Sequence, residues 1–270
     1  MKSIMFKRIF IITVFLAMTC NAPEVMGKNE TASEDRTQNP GAKAPIESSS
    51  AIKQSSPVDD EKLKTILDGL EARYSTLGFT ARFSQESTLK AMEITDTASG
   101  KVMVKRPGMM RWEYETPEPQ TIITDGDRLW IYRPEDNQVM VGKAPAFFKD
   151  GKGAGFLSDM KLLRDKFSIS LVAGESDKNL VHENGNDANM DDKEDDYFLK
   201  LVPEEQNLDL AAIFLAVDKK NFNIKNIVTL NAYEDETRIR ITDYDFGAEL
   251  ENDLFRFVIP EGVDILEMEE

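Results

Sequence analysis

Cysteine and histidine are almost absent from this 270-residue chain, which contains one of each. Zinc clusters, disulfide frameworks and most histidine-dependent nucleophilic catalysis need more of these residues than the chain supplies. Basic residues are also few relative to acidic ones, since 33 lysines and arginines face 49 aspartates and glutamates. A chain with a net charge of −16 repels phosphate, so its composition argues against nucleic-acid binding.

A hydrophobic run long enough to cross a membrane is missing as well. The apolar run at 9–18 follows a basic segment and has about half of the ~20 residues that a bilayer span requires. This pattern predicts an export signal peptide over residues 1–27, cleaved after Gly27. The alternative is processing at Cys20 with attachment of a lipid, although the residues before Cys20 fit that signal poorly.

The mature chain is predicted to begin with a tether. Residues 28–57 carry prolines, a serine run and scattered charges without periodic apolar positions. Such a segment cannot bury enough surface to offset its ordering entropy, so we predict a flexible linker.

The folded domain is predicted over residues 58–270. It opens with a helix, capped by Asp59 or Asp60, whose apolar residues recur three and four positions apart: Leu63, Ile66, Leu67, Leu70 and Tyr74.

Alternating apolar residues take over after Gly78, in short segments separated by turn signals. They predict strands at 79–85, 100–105, 109–114, 121–125, 129–133, 138–141, 167–172, 197–202, 210–217, 224–232, 237–246 and 254–259. Such closely spaced strands indicate an antiparallel sheet or barrel. With about eleven strands and one helix, the sheet must curl on itself or leave a face open.

Residues 144–166 interrupt the strands with large apolar residues set between glycines. One interpretation is a connecting helix packed on the sheet. The other is a mobile lid over a hydrophobic cavity, because glycines allow hinge motion and large apolar side chains need a surface to close upon. The candidate lid residues are Phe147, Phe148, Phe156 and Leu157.

An acidic insertion at 174–196 contains the single histidine, His182. Its carboxylates match the spacing of neither an EF-hand loop nor an RTX repeat, so we predict a solvated loop and no metal site. His182 has no candidate partner for catalysis, so we predict that the protein is not an enzyme.

Four segments together resemble the outer-membrane lipoprotein carrier (LolA) family: FTARFSQ at 79–85, GKVMVKRPGMMRWEY at 100–114, ITDGDRLWIYRP at 123–134 and FRFVIPEGVD at 255–264. The resemblance extends over about residues 58–266. It implies a mainly β fold, an unclosed (half) antiparallel β-barrel of about eleven strands. An N-terminal helix and short lid helices would lie over a hydrophobic cavity.

The resemblance also implies a function. A protein of this family is a periplasmic chaperone without a cofactor, which we expect to be a monomer. It takes triacylated lipoproteins from an ATP-driven inner-membrane releasing complex to an outer-membrane acceptor. The family's gating arginine falls on Arg106, whose guanidinium would bind backbone carbonyls of the lid and hold the empty cavity closed. The acyl-chain cavity would be lined by Phe83, Met103, Met110, Trp112 and Leu129.

Two alternatives share this fold. The first is a lipid-anchored outer-membrane lipoprotein acceptor (LolB-like), which lipidation of Cys20 would favour. The second is a periplasmic sensor domain that regulates an anti-sigma factor. From its sequence context alone, Arg106 is a surface residue that opens a turn. The linker, the acidic insertion and the net negative charge are departures from the family's core.

Overall fold

The computed structural model describes residues 57–144, 152–172, 174, 180–181, 195–205 and 208–268. The predicted signal peptide, nearly all of the predicted linker, and most of the acidic insertion with His182 lie outside these residues. Two of the predicted lid residues, Phe147 and Phe148, also lie outside them.

Helix α1 spans Pro57–Arg73, so the predicted N-terminal helix is present. Asp59 and Asp60 lie in its first turn, not at a capping position before it as we expected. Carboxylates are favourable there because the helix dipole is positive at this end. None of the described helices combines the length and the hydropathy of a membrane span.

Twelve strands are described, and they form one sheet. Their bounds are β1 Gly78–Leu89, β2 Ile94–Lys105, β3 Met109–Thr116, β4 Gln120–Thr124, β5 Arg128–Arg133, β6 Gln138–Lys143, β7 Phe167–Leu171, β8 Asp196–Pro203, β9 Ala212–Asp218, β10 Ile224–Leu230, β11 Glu236–Asp245 and β12 Asp264–Glu267. The spatial order is β12-β6-β5-β4-β3-β2-β1-β11-β10-β9-β8-β7, so the sheet is unclosed, with β12 and β7 at its edges. The predicted mainly β, unclosed and largely antiparallel architecture is confirmed.

Most strand boundaries lie within two residues of the prediction, and larger differences occur at two places. Strands β1 and β2 form a hairpin of twelve-residue strands, longer than predicted because polar residues near its tip hide the apolar alternation. The predicted strand at 254–259 is wrong: residues Asn252–Phe255 form a 3-10 turn. Phe257 and Ile259 then pack against a cluster around Trp130, so their alternation reflects side-chain packing without strand pairing. Strand β12 follows and pairs parallel with β6.

The sheet has two faces of different character. We call the face covered by α1 the inner face, and the opposite one the outer face. The large core lies between the inner face and its covering segments. Two small apolar clusters lie on the outer face, one around Phe214 and one around Trp130.

Candidate functional site

The inner face is apolar over most of its area because alternate residues of each strand point to the same side. Four predicted cavity residues belong to it, and each is at most 3% exposed: Phe83, Met110, Trp112 and Leu129. The rings of Phe83 and Trp112 meet edge-on, with their centroids 4.8 Å apart. Alternation in the sequence was therefore sufficient to assign these four side chains to one surface.

Met103 does not share this surface, so its inclusion in the predicted set is wrong. Val102 and Val104, its neighbours on β2, are buried on the inner face, whereas Met103 is half-buried and points to the outer face. Its sequence context is an uninterrupted apolar run, in which alternation cannot tell one face from the other.

Two segments cover the inner face. Helix α1 contributes Ile66, Leu67 and Leu70 to the core, and Tyr74, which directly follows the helix, belongs to the same core. The second segment, residues 152–166, begins with a 3-10 helix over Lys152–Leu157 and ends with helix α2 at Lys161–Lys166. It contributes Ala154, Phe156, Leu157, Met160 and Leu163 to the same core. Phe156 and Leu157 are thus buried against the inner face. We call residues 152–166 the covering segment.

Arg106 joins the two covers at one end of the sheet. Its Nη1 donates to the carbonyl of Tyr74, just beyond the end of α1, at 3.4 Å. Its Nη2 lies 3.7 Å from Asp159 Oδ1 in the covering segment. A cation at a helix C-terminus is favourable because the dipole is negative there. Among the described residues, the Arg106 guanidinium therefore contacts one backbone carbonyl and one carboxylate.

Arg164 joins the same covers by a second contact, which the sequence did not reveal. It donates from Nε to Glu71 and from Nη2 to Asp68 Oδ1, the latter at 2.7 Å. Asp68 also accepts a hydrogen bond from Lys64 at 2.6 Å. That hydrogen bond, together with the nearby Arg164, holds the pKa of Asp68 below its usual value. Because all of these groups are solvent-accessible, this contact is ionic and exposed.

The end of α1 is attached to the sheet in a different way. Tyr74 donates its hydroxyl hydrogen to the hydroxyl of Tyr244 at 3.0 Å, and Tyr244 donates to the carbonyl of Ile224 at 2.9 Å. The backbone N–H of Ile224 donates back to the Tyr74 oxygen at 3.0 Å. Burial raises the pKa of Tyr74 to about 12, so this three-membered ring of hydrogen bonds stays uncharged.

Aromatic packing surrounds this ring of hydrogen bonds. Tyr74 meets Phe79 and Phe246 edge-on, with centroids 5.5 and 5.6 Å apart. The guanidinium of Arg73 lies over the Phe246 ring at 3.8 Å. Such contacts add to the free energy of burial. The C-terminal end of α1 is therefore the firmly attached part of the cover.

The described residues contain no group of three carboxylate, histidine or cysteine side chains that could hold a metal ion. What the described site offers is an apolar surface, two covers and a few polar contacts between them.

Comparisons with known proteins agree with the sequence resemblance. Residues 75–190 match the family model described as outer membrane lipoprotein carrier protein LolA. The outer-membrane lipoprotein carrier protein of Nitrosomonas europaea is 27% identical over 190 residues, which cover 70% of this chain and 82% of that protein. That of Pseudomonas paraeruginosa is 25% identical over 209 residues, covering 77% and 89%. A solved LolA superfamily protein from Nitrosomonas europaea is 14% identical with a TM-score of 0.39, covering 72% of this chain and 97% of its own.

Proposed function

We propose that this chain, whose residues 75–190 match the LolA family model, belongs to that family and is a periplasmic chaperone that carries lipoproteins to the outer membrane. It binds the acyl chains of a triacylated lipoprotein on the inner face of its sheet. The observation that carries this proposal is the mainly apolar inner face, covered by two segments of the chain that are joined at Arg106 and Arg164.

The ligand's chemistry explains why a carrier is needed. Three acyl chains hold about 40 methylenes, and exposing each to water costs about 0.8 kcal/mol. The total is tens of kcal/mol, so free diffusion through an aqueous compartment is excluded. A carrier must therefore bury the chains during transit, but it must also give them up. Hydrophobic burial meets both needs because it is strong in total and forms no covalent bond.

In this structure, side chains of the covering segment occupy the surface that the acyl chains would bind. Phe156, Leu157 and Leu163 occupy the inner face in this structure, and acyl chains would replace them there when the covering segment moves away. The exchange substitutes one apolar contact for another, so its net free energy is small. Met110 and Met160 line the exchange surface, and their unbranched side chains adapt to chains of different shape.

A nearly balanced exchange has consequences for the partners. Loading must draw on external work, which an ATP-driven inner-membrane releasing complex would supply. Release needs an outer-membrane acceptor that buries the chains slightly better. Neither step makes or breaks a covalent bond in the lipoprotein or in the carrier, so the proposed carrier has no enzymatic activity. We expect it to act as a monomer without a cofactor.

The test is complex formation in the absence of detergent. The exported protein is mixed with a triacylated lipoprotein released by its inner-membrane complex, and separately with the same lipoprotein lacking acyl chains. Size-exclusion chromatography should give co-elution with the acylated form alone. Leu129→Glu should reduce co-elution, because a charge on the apolar inner face is unfavourable against the acyl chains. Val258→Glu, at an exposed residue of the outer face, is the matched control.

Absence of any complex would contradict the proposal. A complex that forms only when Cys20 carries a lipid would instead identify a membrane-anchored acceptor. The intact mass of the exported protein tells these outcomes apart, because lipidation at Cys20 and cleavage after Gly27 give different masses.

A further inference from the structure

Trp112 carries a buried hydrogen-bond donor whose partner is missing. Its side chain lies on β3 in the inner face and is 1% exposed. Its Nε1 has no acceptor among the residues that the structure describes. An indole N–H can only donate, and a buried donor without an acceptor is costly enough to call for an explanation.

Polar side chains replace apolar ones on one side of Trp112. Along β1, the inward residues change from Phe79, Ala81 and Phe83 to Gln85 and Ser87. On β3, Tyr114 follows Trp112 on the same face, and on β11 Thr237 precedes Ile239. These four polar side chains, Gln85, Ser87, Tyr114 and Thr237, are each at most 7% exposed. We call them the polar strip.

The polar strip is hydrogen-bonded across three strands. Tyr114 donates to Gln85 Oε1 at 3.1 Å, and Gln85 donates to Ser87 Oγ at 3.0 Å. Ser87 Oγ lies 3.4 Å from Thr237 Oγ1. The inner face thus has an apolar end near Phe79 and a polar end, with the unpaired Trp112 donor between them.

We infer that Trp112 Nε1 donates a hydrogen bond to a glyceryl ester carbonyl of the bound lipid. This inference rests on the proposed function and assigns a direction to the ligand. The acyl chains would extend towards Phe79, and the glyceryl esters would lie at the junction with the polar strip. The lipid-modified cysteine and the protein attached to it would then lie on the far side of the polar strip.

An ester carbonyl fits this position better than a charged group. The polar strip contains hydroxyls and an amide but no charged side chain, so a carboxylate or phosphate would lie there without a counterion. Arg133 on β5 is a cation that could act as a counterion, but its guanidinium already has partners. It donates to Gln120 at 3.2 Å and has Asp136 Oδ2 within 4.0 Å. An ester also accepts without donating, whereas an amide brings an N–H that needs its own acceptor.

The test compares two lipopeptide probes with the full exported protein. Both carry an N-acetylated cysteine, one with an S-diacylglyceryl group and the other with the corresponding dialkyl ether, which lacks the ester carbonyls. Trp112→Phe should weaken binding of the ester probe by about five- to tenfold, the range expected for one hydrogen bond. Binding of the ether probe should not change. Trp130→Phe, in the outer-face cluster, should affect neither probe.

The wild-type protein provides a second readout that needs no variant. The chain has two tryptophans, so its indole ¹H–¹⁵N spectrum contains one signal for Trp112 and one for Trp130. The Trp112 proton should shift downfield with the ester probe and less with the ether probe, while Trp130 serves as an internal reference.

Equal weakening of both probes by Trp112→Phe, or equal shifts with both, would assign Trp112 a packing role and overturn the inference while the carrier function stands. Failure of the wild-type protein to bind either probe would overturn both.

Discussion

Two of the junctions that attach helix α1 differ in chemistry. At Tyr74, the junction with the sheet is buried and uncharged, and it combines three hydrogen bonds with aromatic packing. At Arg164, the junction with α2 consists of exposed ion pairs to Asp68 and Glu71. Buried hydrogen bonds are costly to break without replacement, whereas exposed ion pairs contribute little because water and salt replace them. We therefore expect opening to begin at the Arg164 junction, with the end of α1 remaining fixed.

The largest effect should come from the packing of α1 on the sheet. Leu70 is completely buried, so Leu70→Ala should lower the free energy of unfolding by about 2–5 kcal/mol through lost burial and a cavity. Urea unfolding followed by circular dichroism measures this change. Leu77→Ala, at an 85% exposed side chain, is the control and should have almost no effect. A change below 1 kcal/mol for Leu70→Ala would mean that α1 is only loosely packed.

Removal of the Tyr74 hydroxyl should have the next largest effect. Tyr74→Phe keeps the ring but leaves the buried Ile224 N–H without its acceptor. The expected loss of stability is about 1–3 kcal/mol. Tyr244→Phe breaks the same ring of hydrogen bonds, so the double variant should lose less than the sum of the two single losses. Strict additivity in urea unfolding would show that the hydroxyls act independently.

The Arg164 junction should respond differently. Arg164→Gln should change global stability by less than about 1 kcal/mol. It should nevertheless accelerate amide hydrogen exchange in residues 161–166, because a segment opens locally where its contacts are least stable. Lys220→Gln removes an exposed ion pair with Asp195 elsewhere on the surface and should leave this exchange unchanged. Unaltered exchange in Arg164→Gln would refute the assignment of this junction as the point of opening.

The smallest effect should appear at acid pH. The pKa of Asp68 is lowered in the native state by hydrogen bonds from Lys64 and Arg164. Because the native value lies below the unfolded value near 3.8, the contact adds stability above pH 3.8. That stability is lost as the pH falls through the native pKa. Asp68→Asn should therefore reduce the acid sensitivity of the urea midpoint. The reduction should be smaller when Arg164 has already been replaced by Gln. An equal reduction would exclude coupling between Asp68 and Arg164.

The sequence allowed the sheet and most of its inner face to be predicted, because alternation with period two reports directly on burial. It placed Phe83, Met110, Trp112 and Leu129 on one surface. It failed for Met103, where an apolar run conceals the face, and for residues 254–259, where side chains alternate without strand pairing. The two junctions could not be predicted, since Arg164 and Asp68 are 96 residues apart and Tyr74 and Tyr244 are 170 apart. Only the folded sheet brings these residues together.

A distance between two spin labels would report whether α1 and the covering segment separate when the ligand binds. Thr65 on α1 and Asp165 on α2 are both exposed and can be replaced by cysteine in the exported protein, with Cys20, the one cysteine of the chain, changed to serine. Pulsed electron paramagnetic resonance then gives the label distance with and without a triacylated lipopeptide. We expect a longer and broader distance distribution when the lipopeptide is bound. An unchanged distribution in the fully bound protein would contradict it.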